Sequence, residues 1–482
     1  MIINILKSKL AWTVVFFGVL YGLISLVNHY VFRTYALDLG AYTNALFDYI
    51  NFQWNDSTVF KEIPENLLAD HFDLYLIILS PLSFVFGTYT LLVVQILAIL
   101  AGGIGVYKLL RSKNISSNLA WMGAIYFYLF FGVFSALSFD YHSNVVAAAI
   151  LPFFFLAVQN IKLRNAGIIL LLILISKENV SLWMAFVCLG LVLQFWSNKK
   201  LRNWLMIATG ACAVYFVLIT GFVMPALSNS GEYPHFHYSV LGENGLEALG
   251  HIFRHPIDTL ELLFINHSGI EEANCVKAEL HILLLLSGLP LLLFRPQFLI
   301  MLIPIYFQKL MHDNFGMWGI TGQYSIEFAP ILAIGIFSVI SSFKKHNMKW
   351  IITFVVLTGV LTSTIRRMDN TVLFTKKEQI RFYKQLHYSQ NFEVSAVHDL
   401  LNNLPKDAIV SAQSSFLPHL ALRDKVYQFP MVKDAEYIVL SESENPYPME
   451  KEDFEMKLKT LGNSGEWEVL HDREEILIMK RK

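Results

Sequence analysis

At 482 residues, with 55% hydrophobic side chains, only 16% charged ones and a mean hydropathy of +0.48, the chain cannot dress a soluble core of that size in a water-facing surface. A net charge of −1 leaves no dominant basic face and excludes nucleic acid as a partner, and three cysteines exclude a disulfide framework. The composition points to a mostly α fold: a polytopic transmembrane helical bundle of about eleven spans, with a small C-terminal α/β domain outside the membrane.

In chain order, Lys7 and Lys9 precede an apolar run over 10–32. That run is too long for a signal-peptide core and no cleavage site follows it, so it is the first span. Residues 74–86 are apolar but broken by Pro81, which predicts a re-entrant or interfacial helix. Further spans are expected at 88–107, 118–137, 144–160, 166–176, 179–196, 204–225, 280–294, 297–311, 326–342 and 350–365. Cys188 and Cys212 fall inside apolar runs and read as small core residues.

Positive charge sets the orientation. Alternate loops carry Lys7, Lys9, Lys108, Arg111, Lys113, Lys162, Arg164, Lys199, Lys200, Arg202, Arg295, Lys344, Lys345 and Lys349, whereas the opposite loops carry only Arg33, Lys61, Lys177, Arg254 and Lys277. The N-terminus is therefore expected in the cytoplasm, with the long loops 33–73 and 226–279 outside. Arg366 and Arg367 run against that rule. Residues 244–264 have apolar side chains at helical spacing, interrupted by Pro256, and predict a surface-lying amphipathic helix. Residues 1–368 thus form the transmembrane domain and 369–482 an outer domain. In the latter, strands are expected at 407–413, 425–429, 435–441, 467–472 and 475–480, and helices near 376–403 and 449–461.

Ionisable groups at a membrane boundary are costly and carry information. Asp38 follows the first span, with Tyr42 one helical turn later, and Asp70, His71 and Asp73 directly precede an apolar stretch. A carboxylate at such a boundary can be tuned into a general base. Alternatively Asp70 and Asp73 can hold a divalent cation such as Mg or Mn, or these residues simply cap helices. Asp140 and His142 follow the third span, Lys177 and Glu178 separate two apolar runs, and His312, Gln323 and Tyr324 flank the ninth and tenth spans. All these clusters fall on one side of the predicted membrane. Asp140 also suits the cap of the next helix. His235 and His237, two residues apart, can ligate a metal if on a strand, although incidental loop histidines are the simpler reading.

The ordered set ALDLGAY, ADHFDLYLIILSPL, FDYHS, ISKENVSLW and GQYS, with LPKDAIVSAQSSFLPHLALR, VYQFP and DAEYIVL near the C-terminus, resembles a bacterial family of predicted membrane proteins of unknown function. That family in turn resembles the GT-C glycosyltransferases, enzymes of the cytoplasmic membrane that use polyprenyl-phosphate-linked sugars at the outer face. The resemblance implies a catalytic acid at Asp38, with Asp140 lining the same cavity. It departs from the common GT-C pattern in that Leu39, not a second acid, follows Asp38. The expected function is transfer of a sugar from a polyprenyl-phosphate donor to a glycan, lipid or protein acceptor. Tyr42, His71, Asp73, His142, Lys177, Glu178, His312, Gln323 and Tyr324 would contact substrate, and the C-terminal domain would bind acceptor or cover the cavity. A transporter or flippase predicts inverted repeats and charges at mid-membrane, which the sequence lacks; a non-catalytic scaffold predicts that Asp38 and Asp140 are dispensable.

Overall fold

The computed structural model describes residues 8–373, 376–473 and 475–482; Lys7 lies outside them. Every apolar run named above is helical. Among the described residues, Lys9–Tyr30, Tyr75–Ser112, Lys199–Leu227 and His346–Asp369 are long and apolar enough to cross a membrane. Ser117–Leu129 and Phe131–Leu137 make a fifth such unit, bent by 43°. Five shorter apolar helices accompany them: Ser143–Gln159, Leu163–Leu174, Val180–Gln194, Gln297–Leu310 and Phe328–Ser342. The run 280–294 divides into the helix Val276–Leu286 and a 3-10 segment, Leu289–Phe294.

Apolar faces explain the bundle. In Lys9–Tyr30 the side chains of Phe17, Tyr21 and Ile24 are buried while Trp12, Val15, Phe16 and Val19 are exposed, an inversion that suits lipid rather than water outside. The bend falls at Phe130, whose backbone is extended (φ −62°, ψ 132°). A Cβ on Gly132 would stand 2.4 Å from the Ser325 carbonyl oxygen, so the glycine lets the 322–325 loop press against the helix. Within Tyr75–Ser112 the first part is short helical pieces, Tyr75–Leu79 and Ser83–Phe86 joined by the 3-10 turn Ser80–Leu82 that holds Pro81, and it runs through Gly87 (φ 55°) into the unbroken helix Thr90–Ser112. Arg366 and Arg367 have internal partners: Arg366 pairs with Glu279 at 3.1 Å, and the buried Arg367 donates to Ser135 Oγ at 2.8 Å. Their charges therefore answer to protein groups, which accounts for their departure from the loop-charge pattern.

The C-terminal part is a five-stranded mixed sheet in the order Val426–Gln428, Val410–Ala412, Tyr437–Ser441, Ile476–Arg481, Trp467–Arg473. The first three strands are parallel and wholly buried, as expected of strands covered on both faces, and the last two form an antiparallel hairpin. Lys451–Asn463 is the second expected helix; the first shrinks to Val394–Asn402, and 376–390 forms short 3-10 turns whose Glu378, Leu386, His387 and Ser389 carbonyls accept from Arg33 instead of from a helix ladder.

This domain does not stand apart. Phe32, Leu39, Tyr42 and Leu46 of the first long loop share one apolar core with Val410, Phe416, Leu417 and Val439. Polar contacts reinforce it: Asn44 Nδ2 donates to the Arg423 carbonyl (2.8 Å), Gln428 N to the Val59 carbonyl (2.7 Å), and Arg33 to the carbonyls of His387 and Ser389 (2.7 and 2.6 Å).

Candidate active site

Asp38 sits in a short π-helix, Ala36–Gly40, closed by the Gly40 N–H donating to the Tyr35 carbonyl at 3.0 Å. Such wide turns are uncommon and concentrate at functional sites. Two supports hold it. From below, the fully buried Asp140 accepts hydrogen bonds at Oδ2 from the backbone N–H of Tyr35 (3.0 Å) and of Leu39 (3.4 Å). From above, Ser414 Oγ accepts from Ala36 N at 3.2 Å, and Gly40 packs so tightly that a Cβ would come 2.5 Å from Leu417 Cδ2. Asp140 is itself fixed through Gln95, whose amide donates to the Asp140 carbonyl (3.4 Å) and accepts from His142 N (2.9 Å).

The DHFD stretch is fastened to ISKEN. Leu74 N donates to the Ile175 carbonyl at 3.0 Å and Phe72 N to Glu178 Oε2 at 3.2 Å. These bonds place the His71 ring between a cation and an anion: Lys177 Nζ is 3.2 Å from Nε2 and Glu178 Oε1 is 3.4 Å from Nδ1. From the second long loop, His235 stacks on His71 with ring centroids 4.2 Å apart and reaches Asp70, 2.6 Å from its carbonyl and 3.5 Å from Oδ1.

Charge ties these groups into one field. Burial lifts the Asp38 carboxyl to about 6; Lys177 pulls it down and Asp70 pushes it up. Burial, with Asp38 beside it, holds Asp140 well above the usual carboxylate range, so Asp140 favours a neutral carboxyl. Burial raises Asp73 to about 7, although Tyr75 N donates to its Oδ1 at 2.9 Å. Burial disfavours charge on Glu178 too, but His71 and Lys177 outweigh it and hold that carboxyl at about 2. Asp70 is likewise held low, against burial, by His71 and His235. Burial and Lys177 depress His142, which remains a neutral imidazole. Burial and the Asp38 charge push the Tyr324 phenol up to about 12.

The predicted residues thus fall into two sets. Asp38, Tyr42, Asp70, His71, Asp73, Asp140, His142, Lys177, Glu178 and Tyr324 act on one another electrostatically. Gln323 is buried beside Tyr324. His312 belongs to a neighbouring group: its ring lies 5.5 Å from His237 and 5.4 Å from Tyr238, and its Nδ1 accepts from Asn314 N at 2.9 Å.

Among the described residues, the grouping capable of holding a metal is Asp70, His71 and His235, whose ligand atoms lie within 4.8 Å of one another. Asp73, expected beside Asp70, turns instead to cap the turn at Tyr75. Two imidazoles and one carboxylate suit a transition-metal dication better than Mg. Sequence reasoning missed His235 as a partner of His71, since no local pattern links positions so far apart. It also missed Lys309 and Glu327, though an ionisable group bounding an apolar run was a usable signal. Lys309 donates to the Met317 and Gly319 carbonyls, and Glu327 accepts from Asn144 Nδ2 at 2.7 Å.

The chain is thus a mostly helical membrane bundle with a small C-terminal α/β domain packed on its first long loop. It aligns over 98% of its length with 98% of a crystal structure of ArnT from Cupriavidus metallidurans bound to undecaprenyl phosphate, with a TM-score of 0.53 at 10% identity. The archaeal oligosaccharyltransferase AglB from Archaeoglobus fulgidus, in complex with an inhibitory peptide and a dolichol-phosphate, aligns over 90% of this chain and 70% of its own, with a TM-score of 0.45 at 11% identity. The chain belongs to the family described as predicted membrane protein (DUF2079), which it matches over residues 28–478. No curated protein matches it.

Proposed function

We propose that the protein is a glycosyltransferase that moves a sugar from a polyprenyl-phosphate carrier to an acceptor hydroxyl at the outer membrane face. The observation that carries this reading is the position of Asp38: half-buried, raised to about 6, on a clamped π turn within the field of Lys177 and Tyr324. At neutral pH Asp38 is an ionised base of matched strength. It takes the acceptor's proton as that oxygen bonds to the anomeric carbon. The bond from that carbon to the phosphate oxygen breaks, and its electrons leave with the polyprenyl phosphate. Lys177 faces the charge growing on that leaving group. The fold it shares with a protein seen bound to undecaprenyl phosphate supports a lipid-phosphate donor.

The Asp70, His71 and His235 group fits a divalent cation, which when bound would add positive charge beside the leaving phosphate. Chelation is expected to lower turnover, and His235→Ala to reproduce the loss and to be indifferent to chelator. Chelator-insensitive turnover in the wild type would assign the cationic role to Lys177 alone.

The decisive experiment is Asp38→Asn in membranes supplied with radiolabelled polyprenyl-phosphate sugars. Transfer is expected to fall by about 10²–10⁴-fold with expression unchanged; normal turnover by the variant removes the proposal.

A further inference from the structure

The helices that begin beside the candidate site end together at the far side of the bundle. Thr90–Ser112, Ser143–Gln159, Val180–Gln194 and Phe328–Ser342 finish there, and Gln297–Leu310 starts there. Between these ends lies a cavity of about 410 Å³ whose lining includes Lys113, Arg295, Gln159, Gln194, Gln297 and Ser338. Among the described residues, no carboxylate lines it. The sequence holds no Asp or Glu between Asp73 and Asp140, between Asp140 and Glu178, or between Glu279 and Asp313, so none of the segments bearing the two cations supplies one nearby.

Lys113 and Arg295 are close enough to repel each other, and burial together with Arg295 lowers the Lys113 amine to about 8. Helix C-termini offer partial negative charge here, yet neither side chain donates to a carbonyl. Lys113 Nζ reaches only Ser338 Oγ, at 3.4 Å, and Arg295 has no side-chain hydrogen-bond or ion-pair partner among the described residues. Two like charges held around a polar cavity, with donors unspent and no counter-charge, define an anion site. Leu293 and Phe294, directly before Arg295 in the chain, are 71% and 68% exposed and give the site an apolar rim.

We propose that this cavity binds a phosphate-bearing anion, with the headgroup of an anionic phospholipid as the source that the apolar rim favours. The site is remote from Asp38 and independent of the glycosyl-transfer reading.

The test melts the purified full chain in detergent with phosphatidylglycerol, phosphatidylcholine or inorganic phosphate added. Phosphatidylglycerol is expected to raise the midpoint and phosphatidylcholine to leave it unchanged. The double variant Lys113→Gln, Arg295→Gln should lose the response, while melting without lipid no lower than wild type because a repulsion has been removed. The control Lys199→Gln, Lys200→Gln, on another loop at the same end, should keep it. A rise with inorganic phosphate alone, lost in the same double variant, supports the site with a water-borne ligand. No response in the wild type, or an equal one in the Lys113/Arg295 variant, overturns the proposal.

Discussion

Asp38 and Asp140 are both carboxyls in poor solvent, and their surroundings assign them different work. Asp38 titrates near 6, above its ordinary value of 3.8. The folded state therefore binds the proton more tightly than the unfolded chain, so its contribution to stability is greatest at low pH and is lost as pH rises through about 6. Activity needs the opposite form. The expected profile is kcat/KM rising with pH to a midpoint near 6, with stability falling over the same interval. Asp38→Asn should lower transfer by about 10²–10⁴-fold yet raise stability at pH 8 by about 1–2 kcal/mol, the full shift being discounted for partial water access. Matched thermal melts at pH 5 and pH 8 check the sign: the gain should shrink at pH 5. Asp140 holds two backbone N–H groups and favours the neutral state, which makes it a positioning residue. Asp140→Asn keeps a neutral acceptor of the same shape and should stay within about tenfold of wild type. Asp140→Ala releases the turn and should lower kcat by about 10²-fold, by misplacing Asp38. Equal losses in the two variants would make Asp140 a second base.

At the scale of elements, the spans and the sheet were legible because each has a pattern of its own. Long apolar runs predict helices in lipid, and the five short β-branched stretches all became strands. The π turn was not legible, since ALDLG has nothing local to widen a helix; its shape is imposed by Asp140 beneath and the 414–418 segment above. The C-terminal strands were visible, but their docking on the first long loop was not. The apolar side chains of the first long loop, Leu39 and Leu46 among them, read as loop residues until their partners Leu417 and Val426 were placed against them. That docking makes a prediction. Gly40→Ala puts a methyl against the fully buried Leu417. It should cost about 1–3 kcal/mol and lower kcat more than it raises KM, because the shift falls on the Asp38 turn. Adding Leu417→Ala should recover part of the kcat, whereas additive losses would argue that the contact does not position the loop.

Across the whole molecule, the separation of charge into two ends organises everything else. One end gathers the site carboxylates, most of the histidines and the long loops; the other gathers lysines and arginines in loops that hold no acid, with none lining the cavity among the described residues. Cations held at the cytoplasmic surface and acids at the opposite one would place the Asp38 pocket where polyprenyl-linked sugars are consumed. The chain carries its own reporter for this arrangement. Cys275, at the start of Val276–Leu286 in the second long loop, is exposed, whereas Cys188 and Cys212 are buried in the bundle. A membrane-impermeant maleimide applied to spheroplasts should label the native protein once. Cys275→Ser should remove that label, and membrane rupture before labelling should add none. Labelling that appears only after rupture would invert the bundle. Asp38 would then face the cytoplasm, the Lys113 and Arg295 cavity would open to the outer leaflet, and a donor presented at the outer face could not reach the acid proposed to act on its acceptor.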